Sequence, residues 1–211
     1  MPDTKTVVRS RYCGLRDLYA ARVTKNDADE YTTDTPVKLA RAIKAKISEK
    51  WTSEKQYSDD GVEGVLQSYE GTDVELEVNS LAAADRALLF GQLFANGFLV
   101  KSAEDEAPEL ALGYRTRRMN GKYDFVWLYV GSFAEGIEEN YETQGATKTP
   151  QTNTVKGSFY QRQKKDTIDG KEKHLYEIRV DESNLATNET QAQTAIAAWF
   201  EKVQEYSQAA G

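Results

Sequence analysis

Apolar residues recur at every second position along much of this chain, the spacing of half-buried strands, and they crowd at 110–133, LALGYRTRRMNGKYDFVWLYVGSF. Asn120-Gly121 in its middle suits a two-residue type I′ hairpin turn, whose positive φ angles Asn and Gly tolerate cheaply. That turn sets Met119 opposite Lys122 and predicts the pairs Arg117–Asp124, Tyr114–Trp127, Gly113–Leu128 and Ala111–Val130. The second arm is apolar on both faces, with Phe125, Trp127 and Tyr129 on one and Val126, Leu128 and Val130 on the other. Such a strand requires two covers, one the domain core and the other a helix or another subunit.

The same period predicts a strand at 15–23 and another at 37–47, with Val37, Leu39, Arg41, Ile43, Ala45 and Ile47 sharing a face. Residues 48–71 lack apolar periodicity and read as a projecting loop or loosely ordered hairpin, followed by a strand through Val74, Leu76 and Val78. Ser80 is positioned to cap a short helix ending near Gly91, and 93–100 returns to strand. Residues 134–152 read as a loop at a sheet's margin. A second hairpin is expected from 154–163 and 174–180, with Asp169-Gly170 at or near its turn. Ala192, Ala195, Ile196, Trp199, Phe200, Val203 and Tyr206 recur at helical spacing near the end. The expected fold is α+β and mainly β, with a short central helix and a C-terminal helix.

The 211 residues suit one domain. No apolar run reaches the roughly 20 residues a membrane helix needs, and 1–15 lacks the apolar core of a secretory leader, so a cytoplasmic origin without membrane contact is expected. A net charge of −7 argues against a broad grip on phosphate backbones.

Chemistry is sparse in the sequence. The one histidine, His174, alternates with Tyr176, Ile178 and Val180 as a partly buried strand residue would, and Cys13 has no histidine near it in the chain. Together they offer too few soft ligands for a typical structural zinc site. The acidic runs Asp59-Asp60, Glu104-Asp105-Glu106 and Glu138-Glu139 lack calcium-loop spacing, and no phosphate-binding glycine loop occurs. No catalytic residue, metal or cofactor is assigned, and no enzymatic activity is expected. Arg115, Arg117, Arg118 and Lys122, interleaved with Tyr114 and Tyr123, read as a solvated hairpin tip or a subunit contact.

The order of several motifs resembles one family. Gly113 to Phe133, GYRTRRMNGKYDFVWLYVGSF, looks like the signature hairpin of major tail proteins, the tail tube subunits of long-tailed bacteriophages of Gram-positive hosts. Gly14-Leu15-Arg16-Asp17-Leu18-Tyr19-Ala20-Ala21, Tyr57-x-Asp59-Asp60-Gly61, Val74-Glu75-Leu76-Glu77-Val78, Tyr141-Glu142-Thr143 with Gln144-Gly145, and the closing Trp199-Phe200 helix are similar to that family in the same order. The immunoglobulin-like C-terminal domain that many members carry has no counterpart, and the segment before Gly14 is longer than in the family pattern.

The resemblance implies a β-sandwich or partial barrel flanked by a helix, assembled as hexameric rings stacking into the tube through which DNA leaves the capsid. The chain would then be a virion protein assembled in the host cytoplasm, whose partners are copies of itself, a tape measure protein, a tail terminator and a distal tail protein, with DNA present only in transit. About 24 strands at roughly 4.8 Å spacing and about 40° tilt would close a barrel about 48 Å across its backbone, which admits a duplex. Residues 1–13 would be a flexible arm and 48–71 a loop that orders against the adjacent ring. Trp51, Tyr57, Asp59, Asp60, Tyr69, Arg115 and Arg117 are the candidate inter-ring or inter-subunit contacts. A tube protein of a contractile or secretion-type injection device and a monomeric carbohydrate-binding β-sandwich are the alternatives.

Overall fold

A computed structural model of the chain describes residues 7–58, 61–139, 141, 143 and 151–206, and for 57, 58 and 61–63 the backbone alone. The strands are β1 (Tyr12–Asn26), β2 (Tyr31–Thr33), β3 (Val37–Lys38), β4 (Ala42–Ser58), β5 (Gly61–Val78), β6 (Leu93–Ala95), β7 (Phe98–Val100), β8 (Leu110–Arg118) and β9 (Tyr123–Ser132). They continue with β10 (Ile137–Glu139), β11 (Asn153–Tyr160), β12 (Lys165–Ile168), β13 (Lys171–His174) and β14 (Glu177–Asp181). Helix α1 (Ala83–Phe90) follows β5, and a 3-10 turn (Glu182–Asn184) leads to helix α2 (Thr190–Ala197). The fold is mainly β, as the alternation predicts.

Ten strands form one antiparallel sheet in the order β2-β1-β8-β9-β11-β5-β4, with β3 beside β1, β14 beside β9 and β10 beside β11. The sheet curls, because the inner faces of its two halves share one core. Leu18, Leu112, Val126 and Leu128 of one half pack with Val74, Leu76, Val155 and Phe159 of the other, and Leu89 and Phe90 of α1 join them. The chain leading into β4 returns alongside β1, where Leu39 donates its N–H to the carbonyl of Leu18 at 2.9 Å.

The β8–β9 hairpin forms as predicted, but in a register shifted by one. Arg117 faces Tyr123, Thr116 faces Asp124 and Gly113 faces Trp127. The loop has three residues, not two: the N–H of Arg118 reaches the carbonyl of Lys122 at 2.8 Å, and Gly121 alone has a positive φ, +86°. Asn120 instead accepts the N–H of Lys122 on its side chain at 3.1 Å. A close approach explains the register, since a Cβ on residue 113 would lie 2.6 Å from the Trp127 ring and only glycine fits there. The shift also exchanges the faces of β8 relative to β9, placing Leu112 and Tyr114 with Leu128 and Val126, while β9 keeps its own two apolar sides.

The second cover of β9 is the C-terminal segment. Phe125, Trp127 and Tyr129 pack with Trp199, Val203 and Tyr31. Trp127 donates its indole N–H to the carbonyl of Trp199 at 3.0 Å, and Tyr129 its hydroxyl to that of Gln204 at 3.1 Å. The predicted helix is consequently shorter than its apolar stripe. It stops at Ala197: beyond it the Ala198 carbonyl takes the Glu201 N–H and the Gln204 amide, and the carbonyls of Trp199 and Lys202 accept side-chain donors from Trp127 and Gln204.

Other expectations are corrected. The strand predicted at 37–47 is interrupted: Leu39 turns inward, and a register shift between Ala42 and Lys44 leaves Ile43 exposed while Ala45 and Ile47 pack on the core. Ser80 does not cap α1. Ala82 is the N-cap, its N–H is accepted by the Asp85 carboxylate at 3.3 Å, and Gly91 at φ +69° ends the helix. Residues 93–100 are not one strand but the small hairpin β6–β7 around Asn96-Gly97, both at positive φ. Asp169-Gly170 joins β12 to β13, whereas β11 pairs with β5, β9 and β10, and β14 lies against β9. His174 is exposed at the end of β13, its Nδ1 3.2 Å from the carbonyl of Arg162.

Gly113→Val is expected to lower unfolding free energy by about 1–3 kcal/mol through overpacking against Trp127, read as a fall in the urea midpoint without a change in slope.

Candidate assembly surfaces

Of residues 48–71, read from sequence as a projecting loop or loose hairpin, 48–58 and 61–71 are strand. Pairing of β4 with β5 runs from Ala42 opposite Val78 to Ser58 opposite Gly61. β11 accompanies β5 only as far as Phe159 opposite Thr72. Past Gly71 the ribbon therefore leaves the sheet with two strands alone, and its eight β4 residues reach about 26 Å. An isolated two-stranded ribbon is marginal in water, so its root needs fixing.

An aromatic trio supplies the fixing. Tyr69 stacks on Tyr176, just ahead of β14, at 4.1 Å and 19°, and Trp51 meets Tyr69 edge-on at 5.3 Å. The Tyr69 hydroxyl shares a 2.7 Å hydrogen bond with Thr72, and burial pushes its pKa up to about 12. Trp51 and Tyr69 thus come together, folded back on their own domain. Tyr57 contributes its backbone opposite Val62, while Asp59, Asp60, Gln144 and Gly145 lie outside the described residues.

The two hairpin arginines have different surroundings. Arg115 lies over Tyr123 at 4.5 Å and binds the Asp17 carboxylate at 2.6 Å. Arg117, opposite Gly14 on β1, is exposed and makes no ion pair among the described residues. Asp17 sits in β1 at φ +51°, where a bulge turns its carboxylate toward both Arg115 and Lys38, the latter at 2.7 Å. Burial pushes the Asp17 pKa up, but Lys38 and Arg115 outweigh it and hold the carboxyl below its usual range. A cleft of about 440 Å³ opens here between β1 and the start of β4, bordered by Arg16, Arg41 and Arg115 over Leu15, Leu39 and Ala42.

Two clusters were not legible in the sequence. Arg118 grips the buried Asp124 at 2.5 and 2.8 Å and also reaches Asp181 at 3.0 Å, with the Tyr12 hydroxyl on Asp124 at 2.7 Å. This network anchors the N-terminal segment, of which residues 7–13 are not loose: Val8 donates to Asn184, Met119 to the carbonyl of Arg11 and Asn120 to Ser10. Arg162 is fully buried between Asp166 at 2.6 Å and Glu205 at 2.8 Å, and lies 4.3 Å above the Tyr129 ring. It ties the C-terminal segment to the sheet. The Arg-x-x-x-Asp spacing that joins Arg162 to Asp166 was the only sequence signal, and it is common on surfaces.

Unpartnered surface remains. β4 pairs only with β5, so among the described residues its outer edge is open, guarded by Lys44, Lys46, Lys50 and Lys55. The β6–β7 hairpin exposes Leu93, Phe94, Phe98 and Val100, with Phe98 at 72%. Cys13 is exposed and unpaired, and among the described residues no three His, Cys, Asp or Glu side chains converge as a metal site would. No family model matches the chain, and no curated protein matches it.

Asp17→Asn preserves a residue that tolerates left-handed backbone while removing the charge. Because Asp17 is depressed in the folded state, its ionic stabilisation is present above the unfolded pKa near about 3.9 and is lost as pH falls through the lower folded value. Thermal unfolding is expected to show a lower melting temperature for the variant at pH 7 and a smaller loss than wild type between about pH 5 and pH 2.5; equal losses would contradict the assignment.

Proposed function

We propose that the chain is a structural tube subunit of the bacteriophage tail type, forming hexameric rings that stack around a channel for DNA. The observation that carries this reading is the β4–β5 hairpin: a long strand edge left open on a sheet already curled toward closure, continued into a ribbon that projects past its own domain. Copies of the chain satisfy both features at once, the edge within a ring and the ribbon between rings. The sequence resemblance, colinear over nearly the whole chain, points the same way.

The charge pattern of the sheet's polar face supports a conduit. Lys46 faces Glu75, Glu75 faces Lys156, and Lys156 binds Glu138 at 2.8 Å; Lys50 binds Asp73 at 2.7 Å. Each lysine is matched by a carboxylate, so the row offers phosphate no run of free cations, and a duplex passing it would not stick. In this reading the protein resides in the virion, works with a tape measure protein, a tail terminator and a distal tail protein, and catalyses nothing.

Purified wild-type protein is expected to form hollow cylinders in negative-stain micrographs. Replacing residues 53–67 with an Asn-Gly turn should leave the melting temperature within a few degrees and abolish long tubes. Tubes of wild-type length from the shortened variant would exclude an inter-ring role for the ribbon.

A further inference from the structure

The exposed β6–β7 hairpin is followed by a loop already folded on itself. The Asp105 carboxylate accepts the N–H of Ser102 at 2.8 Å, Ser102 bonds Glu104 through its hydroxyl, and the carbonyl of Glu106 sits against Gly91 at the end of α1. Phe98 and Leu93 are exposed on the hairpin and Glu104 and Glu106 on the loop that follows it, so this protruding segment is apolar on its hairpin and acidic on its loop. Ordering entropy is spent before any partner arrives.

The cleft between β1 and β4 has the opposite character. Its floor is apolar, from Leu15, Leu39 and Ala42, and its rim carries Arg16 and Arg41, whose guanidinium groups make no ion pair among the described residues. Protrusion and cleft do not meet within one subunit. Leu110, four residues after Glu106, pairs with Arg22, whereas the cleft borders Arg115 about 17 Å further along β8, and no residue of 93–106 lines it.

We infer that the protrusion of one copy seats in the cleft of the next, with Phe98 and Leu93 over the apolar floor and Glu104 and Glu106 between Arg16 and Arg41. This rests on the tube reading and names the contact that propagates a ring. The two patches differ, so the contact is head-to-tail, and repeated with a fixed rotation it closes a ring without any two-fold axis. The charges select the partner and the apolar side chains hold it.

Two surface variants test the contact. Arg16→Glu with Arg41→Glu spoils the cleft, and Leu93→Ser with Phe98→Ser spoils the protrusion while keeping its carboxylates, so that the two spoiled patches repel each other. Each alone is expected to raise the concentration needed for assembly by about a hundredfold or more, seen as a monomer in analytical ultracentrifugation where wild type forms rings or tubes. An equimolar mixture should give a heterodimer that grows no further, because one intact protrusion meets one intact cleft and both remaining patches are spoiled. Its formation also shows that both variants are folded. If wild type forms tubes and either variant does so equally well, or the mixture stays monomeric, the contact is wrong and the tube reading stands. If wild type never associates, both are wrong.

Discussion

Residues 125–130 of β9 are all buried, so this strand has no face to give to water and everything else is arranged to cover it. Val126 and Leu128 close the inner core of the curled sheet, while Phe125, Trp127 and Tyr129 demand a second layer. At about 1.5–3 kcal/mol for each large side chain removed from water, the outer aromatic face alone is enough to draw the C-terminal segment onto the sheet. The indole of Trp127 and the hydroxyl of Tyr129 then fix where that segment lies, and the buried Arg162 locks it through Glu205.

With both faces of the centre covered, what the fold leaves open is at its margins. Among the described residues β4 has an unpaired edge, the β4–β5 ribbon continues without a third strand, and the β6–β7 hairpin exposes four large apolar side chains. Lysines along β4 keep the lone subunit from pairing indiscriminately. Margins of this kind, with rigid roots at the Trp51–Tyr69–Tyr176 trio and at Gly91, suit a protein whose partner is another copy of itself. The tube proposal gives every one of them an occupant.

The parts legible in sequence were those written by local periodicity. The double-faced β9 and its need for two covers, the strand through Val74 to Val78, and the helix ending at Gly91 follow from side-chain spacing and glycine chemistry. What failed was decided by distant atoms. A one-residue register choice in β8–β9 depends on Gly113 meeting Trp127, and the end of α2 depends on carbonyls claimed by Trp127 and Gln204. Polar strand residues such as 51–56 and 64–69 carry no apolar alternation because neither face is buried in a core, so a ribbon reads as a loop. Of the candidate contacts, Trp51 with Tyr69 and Arg115 with Asp17 are brought into defined sites, whereas Arg16, Arg41 and Phe98 were not among the candidates because nothing local distinguishes them from solvated surface.

Hydrogen–deuterium exchange along β4, followed as protein concentration rises, tests the central claim most directly. In the monomer about every second amide of 44–58 points at solvent from the open edge and exchanges quickly. The account predicts that these amides become protected as larger particles form, in step with their mass. Particles that grow while β4 exchanges at its monomer rate, or a protein that stays monomeric at every concentration, would contradict it.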